Sequence, residues 1–210
     1  MRPRRSAVEI AVVERLWRQL PHWGITEFSI RADMTDRPDV VLDLADGRLG
    51  IEICRLDYEA FCRWLATPPD APYARSAEVT VDLDTQLAAV MARKAPKYPA
   101  YVAEAGLDAC WLLLYNNLYD FADEAAPGLP DRAWFERFAQ WALQELGCPF
   151  ERVYFLLEHP ERWYQLFDRD RHLPRRGTVH SWPRVIYRES EQDAESGASV
   201  PGGAAPERFG

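Results

Sequence analysis

Residues 38–54 constrain the fold more than any other stretch, because apolar side chains recur there with a strict period of two. Val40, Leu42 and Leu44 alternate with Asp39, Val41 and Asp43. Asp46-Gly47 follows, a dipeptide favoured in the type I′ turns that close hairpins. Leu49, Ile51 and Ile53 then alternate with Arg48, Gly50, Glu52 and Cys54. This pattern predicts a β-hairpin with one all-aliphatic face. With Asp46-Gly47 as the turn, flanked by Ala45 and Arg48, Asp39 faces Cys54 and Val41 faces Glu52. Asp39 and Glu52 then share the second face as diagonal neighbours, within about 7–8 Å.

The surrounding chain predicts an α/β domain. Residues 6–20 read as an amphipathic helix, with Ser6 and Glu9 in capping-box spacing and Val13, Leu16, Trp17 and Leu20 as the apolar stripe. Glu9 leans toward that stripe. A weak strand is expected over 25–31 and a helix over 57–66. The proline-rich stretch 67–83 reads as a loop, and a helix runs from about Asp84 to Lys94. Pro96 and Pro99 then break or kink it. Cys110–Tyr115 and Arg152–Glu158 are apolar runs of the kind found in strands buried on both faces. A loop is expected over 116–130, a helix over 131–146 closed by Gly147, a short helix over 161–168 and an edge strand over 185–188. The order α-β-β-β-α-β-α-β implies an antiparallel meander, then a helical crossover that adds a central strand, making a mixed sheet flanked by helices. Residues 1–188 form one domain on this reading. Residues 189–210, rich in Gly, Ser, Ala, Pro and acids, read as a disordered acidic tail.

Composition narrows the function classes. The net charge is −8, half of it in the tail, where five acids stand against Arg208. An acidic body argues against broad, non-specific nucleic-acid binding but leaves room for local basic clusters. Two such clusters are Arg2, Arg4 and Arg5, and Arg169, Arg171, Arg175 and Arg176. No apolar run is long enough to span a bilayer, and no apolar core follows the basic N-terminus as in a signal peptide. The four cysteines lack CxxC spacing, which fits reduced thiols in a cytoplasmic protein. The four histidines are scattered and suggest no ligand set.

Two features carry chemistry. Paired carboxylates such as Asp39 and Glu52 can grip one hard divalent ion, with water completing its shell. An outward hairpin face ordinarily carries solvated polar residues, so the pair alone does not establish a site. The second feature is base usage. Of 25 basic residues only Lys94 and Lys97 are lysine. On a regular helix they share an arc of about 80° with Gln86, Val90 and Tyr101. Arginine stays protonated at working pH, whereas a buried lysine can exchange protons.

Pro38-Asp39, twelve intervening residues and Glu52-Ile53-Cys54 resemble the signature of the PD-(D/E)xK superfamily, the restriction-endonuclease-like nucleases. Gly50-Ile51-Glu52-Ile53 is a common form of its second half, and the αβββαβ order is similar to its core. The resemblance spans roughly residues 6–158. It implies a Mg²⁺- or Mn²⁺-dependent nuclease that hydrolyses phosphodiester bonds of nucleic acid. Asp39, Glu52 and the Ile53 carbonyl would be metal ligands, and Glu9 would match an acidic residue that some members carry on the first helix. The in-line lysine of the family is Cys54 here, and a thiol cannot replace an ammonium. Some members move that lysine to the neighbouring helix, which gives Lys94 or Lys97 the catalytic role. If neither reaches the carboxylates, the same fold implies an inactive binding or scaffold subunit with a protein partner. A third reading, from the acidic body, is an immunity or antitoxin-type protein that masks a basic partner.

Overall fold

Among the described residues, six strands form one mixed sheet with one helix on one face and three helices on the other. The computed structural model describes residues 7–31, 38–56, 79–116, 132–157, 161–173 and 184–187. Ser6, the helix expected over 57–66, most of the two expected loops and the acidic tail lie outside the described residues. So do Arg175, Arg176, Cys62, His159 and His180.

Helix α1 (Ala7–Gln19) leads through a short 3₁₀ turn into β1 (Ser29–Ile30), β2 (Val40–Leu44) and β3 (Gly47–Arg55). After β4 (Val79–Asp82) come α2 (Leu83–Lys94), a 3₁₀ turn (Ala95–Lys97) and α3 (Tyr98–Ala105). The chain continues through β5 (Ala109–Asn116), α4 (Arg132–Glu145), β6 (Arg152–Leu157), β7 (Arg162–Asp168) and β8 (Arg184–Tyr187). The main sheet has the order β1-β2-β3-β5-β6-β7. β1, β2 and β3 form the expected antiparallel meander, and β5 is parallel to both β3 and β6. No helix among the described residues is long and apolar enough to cross a membrane.

Both faces of the sheet are covered, so its strands alternate between two cores rather than between core and water. Val12 and Leu16 of α1, with Leu20 of the 3₁₀ turn that follows it, pack on Val40, Leu42, Leu49, Ile51, Trp111 and Leu113. Leu83, Leu87 and Val90 of α2, Tyr101 of α3 and Phe138 of α4 pack on Val41, Cys54, Leu112, Leu114 and Phe155. The hairpin face that carries Glu52 is therefore roofed by α2, α3 and α4, and is not a solvated exterior.

Three expectations are corrected. Leu44 pairs with Gly47 and Val40 with Ile51, so the turn is Ala45-Asp46 and the register differs by two residues. No non-glycine described residue has positive φ, which excludes a type I′ turn at Ala45-Asp46. Gly47 (φ +154°) sits in the ladder, where an added Cβ would meet the Asp108 carboxylate at 2.5 Å. That carboxylate accepts the Arg48 N–H at 2.7 Å, and the Asp108 N–H returns a bond to the Arg48 carbonyl. The glycine thus serves a close approach from 61 residues away rather than the turn itself. Second, residues 162–168 are strand β7, antiparallel to β6, instead of a short helix. Tyr164 and Leu166 pack under α4 while Trp163 joins the other core. Third, β8 joins no edge of the main sheet; it pairs antiparallel with β4 in a ladder of two strands, and β4 itself arises within the stretch read as loop.

Candidate functional site

The site is assembled from the start of β2, the middle of β3 and the last turn of α2. Continuing the observed register places Asp39 directly opposite Glu52, where the shifted turn had made them diagonal. Pro38 is buried and rests over Gly50, where a Cβ would fall 2.7 Å from its ring and 2.4 Å from Leu107. The absence of a side chain at Gly50 therefore lets Pro38 settle on the sheet and aims the residue that follows it. Asp39 accepts the Ile53 N–H through Oδ2 at 2.8 Å. An extended residue turns its N–H and C=O toward the same edge, so the Ile53 carbonyl also lies on the Asp39 side of β3.

Glu52 lies beneath α2 and is 5% exposed. Its Oε1 accepts a charge-assisted hydrogen bond from the Lys94 ammonium. Gln86, Val90 and Lys94 follow one another at i, i+4 spacing along α2, with Gln86 and Val90 buried. Lys94 thus ends a row that points at the sheet. Its place in the last helical turn also suits a cation. Lys97 is half-buried on the 3₁₀ turn, which interrupts the regular arc, and makes no ion pair among the described residues. The two lysines therefore part company: Lys94 reaches a carboxylate of the candidate pair, and Lys97 does not.

Cys54 is buried on the same face, two residues beyond Glu52. Burial pushes its thiol above the usual range, against the opposing pull of the nearby Lys94 and Arg93 charges. The Arg93 guanidinium donates to its sulfur. Position 54 thus holds a neutral thiol bonded to Arg93 of α2, while Lys94, the next residue of that helix, supplies an ammonium to Glu52. The sequence reading missed Arg93, although its adjacency to Lys94 was a usable signal.

Glu9 is half-buried on α1, whose core residues pack against the opposite face of the sheet. Among the described residues no group of three or more His, Cys, Asp or Glu side chains is arranged to hold a metal ion. Among the described residues, the strand register places the Asp39 carboxylate and the Ile53 carbonyl as oxygen donors on the Glu52 side of the hairpin. Two carboxylates and a carbonyl are an all-oxygen set of the type that hard divalent ions take, with water filling the remaining positions.

A second polar node lies across the same face. Glu151 accepts from the Tyr98 hydroxyl, the Cys110 N–H and, at 2.9 Å, Arg169. It ties α3, β5 and the exit of β7 together. Burial and the Glu151 charge push the Tyr98 hydroxyl up to about 12. No local pattern around Glu151 marks it in the sequence.

Comparison of the chain with protein-family models, with curated proteins and with solved structures gives no match.

Proposed function

We propose that the chain is a divalent-cation-dependent phosphodiesterase acting on nucleic acid, built on a restriction-endonuclease-like core. The observation that carries this reading is the Lys94–Glu52 contact. It puts an ammonium beside the carboxylate pair despite the cysteine at position 54. The antiparallel meander followed by a helical crossover to a central parallel strand supports the same reading.

Asp39, Glu52 and the Ile53 carbonyl would hold Mg²⁺ or Mn²⁺. When bound, such an ion lowers the pKa of a water and offsets charge on a phosphate. Lys94 has the remaining role. Its ammonium carries three donors, and a donor not engaged with Glu52 can orient a water or a phosphate oxygen. Cys54, held as a neutral thiol, takes no part in proton transfer.

The decisive variant is Asp39→Asn. An asparagine oxygen can still accept the Ile53 N–H, so the fold is retained while a negative donor is lost. With Mg²⁺ or Mn²⁺, the native chain is expected to cleave single-stranded DNA, duplex DNA or RNA. Asp39→Asn is expected to lose at least about 100-fold of that activity, the scale on which enzymes depend on a placed charge. Calorimetric titration of the two ions should show a site in the native chain and none in Asp39→Asn. Equal cleavage or equal ion binding by the two proteins would sink the proposal.

A second reading is favoured by one observation. The Glu52 charge is already answered inside the fold by Lys94, as in a pair kept for structure. On that reading the chain is an inactive nuclease-fold subunit that binds or scaffolds a partner. It predicts no cleavage by the native chain and no Mg²⁺ response.

A further inference from the structure

A second cluster of bases lies on the turn that leaves β7, three strands away from Glu52. Arg169, Arg171 and His172 line a cavity of about 170 Å³ together with Gln144, Cys148 and Phe167. Two side chains of α4 hold this turn in place. Gln140 is 3% exposed and donates through Nε2 to the Asp168 and Arg171 carbonyls, while its Oε1 accepts the Asp168 N–H. One helical turn on, Gln144 donates to the Leu173 carbonyl and accepts the Leu173 N–H. Five bonds from two amides thus fix the backbone of 168–173, and a buried amide is costly unless it is satisfied in this way.

The bases on this rigid turn have different duties. Arg169 is committed to Glu151 and lies over the Tyr98 ring. Arg171 and His172 are exposed and make no ion pair among the described residues. They are not needed to cap α4, although its C-terminus is close by. The Ala142, Leu143 and Gln144 carbonyls are already taken by the Leu146, Cys148 and Gly147 N–H groups. Of the acids of the turn, Asp168 is engaged: its carboxylate accepts the Asp170 N–H and the Gln165 amide. Asp170 is the exposed acid within the turn.

We propose that this cavity binds a phosphate group, with the Arg171 and His172 side chains as donors on a turn that the two glutamines hold in place. A guanidinium beside an imidazole, on a turn that need not reorganise, suits a tetrahedral oxyanion. The source is either a phosphodiester strand or a small phosphate-bearing molecule. Choosing the strand rests on the nuclease reading; the phosphate site itself does not.

The test uses the full chain in EDTA, where no cleavage can occur. Binding of a labelled 12-nucleotide single-stranded DNA or RNA is followed by fluorescence anisotropy, and inorganic phosphate is titrated separately by calorimetry. The Arg171→Gln/His172→Gln variant alters two exposed side chains and leaves the glutamine bonds intact. Oligonucleotide affinity is expected to fall about tenfold at low salt. The salt dependence should fall by about one counterion for the arginine removed. Arg18→Gln, which removes an exposed arginine from the α1 rim, should bind as the native chain does, and the absence of divalent ions in EDTA separates failure here from failure of the metal site. Phosphate binding that is lost in the variant, without oligonucleotide binding, upholds the site and assigns it to a small ligand. Binding of both probes that is unchanged in the variant, or absent from the native chain, overturns the proposal.

Discussion

The two faces of the central sheet are built on different principles. Under α1 the core is aliphatic and aromatic: Val12, Leu16, Leu20, Val40, Leu42, Ile51 and Leu113, edged by Trp23 stacked 3.9 Å from Tyr154. Under α2, α3 and α4 the core is larger, but it is interrupted. Among the described residues, the buried polar side chains are Glu52, Gln86, Asn116 and Gln140. Gln86 and Gln140 stand on helices of this side, and strand alternation puts Glu52 and Asn116 there too. Cys54, Cys110 and Cys148 are also on this side. An apolar core is the cheaper way to roof a sheet, because buried charge must be desolvated before it is paired. Concentrating that cost on one face marks it as the face where chemistry is to be sought, and leaves the α1 face as the structural floor.

The comparison is broken most severely at Glu52. Glu52→Leu leaves the Lys94 ammonium buried without its carboxylate and is expected to cost about 3–5 kcal/mol. Lys94→Met should cost a similar amount. The double variant should recover most of the loss, because a buried pair can be replaced by apolar groups at little net cost. Urea midpoints of the four proteins read the coupling directly. Single losses under about 1 kcal/mol would mean that the pair is solvated and the two faces alike. Gly50→Ala comes next. It pushes a methyl into Pro38 and Leu107 and should cost about 1–3 kcal/mol by overpacking, with loss of the Asp39–Ile53 bond visible in the Ile53 amide resonance. An unshifted resonance would show that Asp39 is aimed by something other than Pro38.

Alkaline pH acts on the same face. Burial pushes the Cys148 thiol up to about 12, and it raises Cys54 and Cys110 as well. The folded state thus favours the neutral thiol. Its contribution is complete below the unfolded value near 9 and is lost as pH rises toward 12. Native stability should fall by about 1–2 kcal/mol more than that of Cys148→Ala between pH 9 and 10.5. Parallel pH profiles would remove Cys148 from the account. The smallest effect belongs to the rim of the α1 face, where Arg18 meets Glu161 at 3.5 Å with its side chain 65% exposed. Arg18→Ala should change the urea midpoint by no more than about 0.5 kcal/mol of stability. A larger change would give the α1 face an electrostatic role.

Local patterning made much of this architecture legible. Alternation gave the hairpin and the parity that puts Asp39 and Glu52 on one face. The apolar runs gave β5 and β6, and helical spacing gave α2 and α4. Lys94 was legible as an outlier in base usage and as the end of an i, i+4 row. What escaped depends on distant partners. The hairpin register turns on Asp108 pressing against Gly47, and no rule about Asp-Gly turns contains that contact. Strand β7 was misread because Trp163-Tyr164-Gln165-Leu166 is too short for periodicity to separate strand from helix, and its pairing with β6 decides the matter. The glutamine clamp and the Glu151 node are long-range hydrogen bonds from residues that look like ordinary polar positions on a helix and a loop.

The bond from Asp39 to the Ile53 N–H has one more consequence. β2 stops pairing at Val40, so a side chain takes over the acceptor's place that a strand would otherwise fill. The Ile53 amide is therefore a built-in gauge of how the carboxylate is used. An ion held through Oδ1 would leave that amide sheltered and move only its chemical shift. An ion that captured Oδ2 would strip the shelter away, and the amide would begin to exchange with solvent deuterium. One backbone proton, followed as Mg²⁺ or Mn²⁺ is added, distinguishes the two.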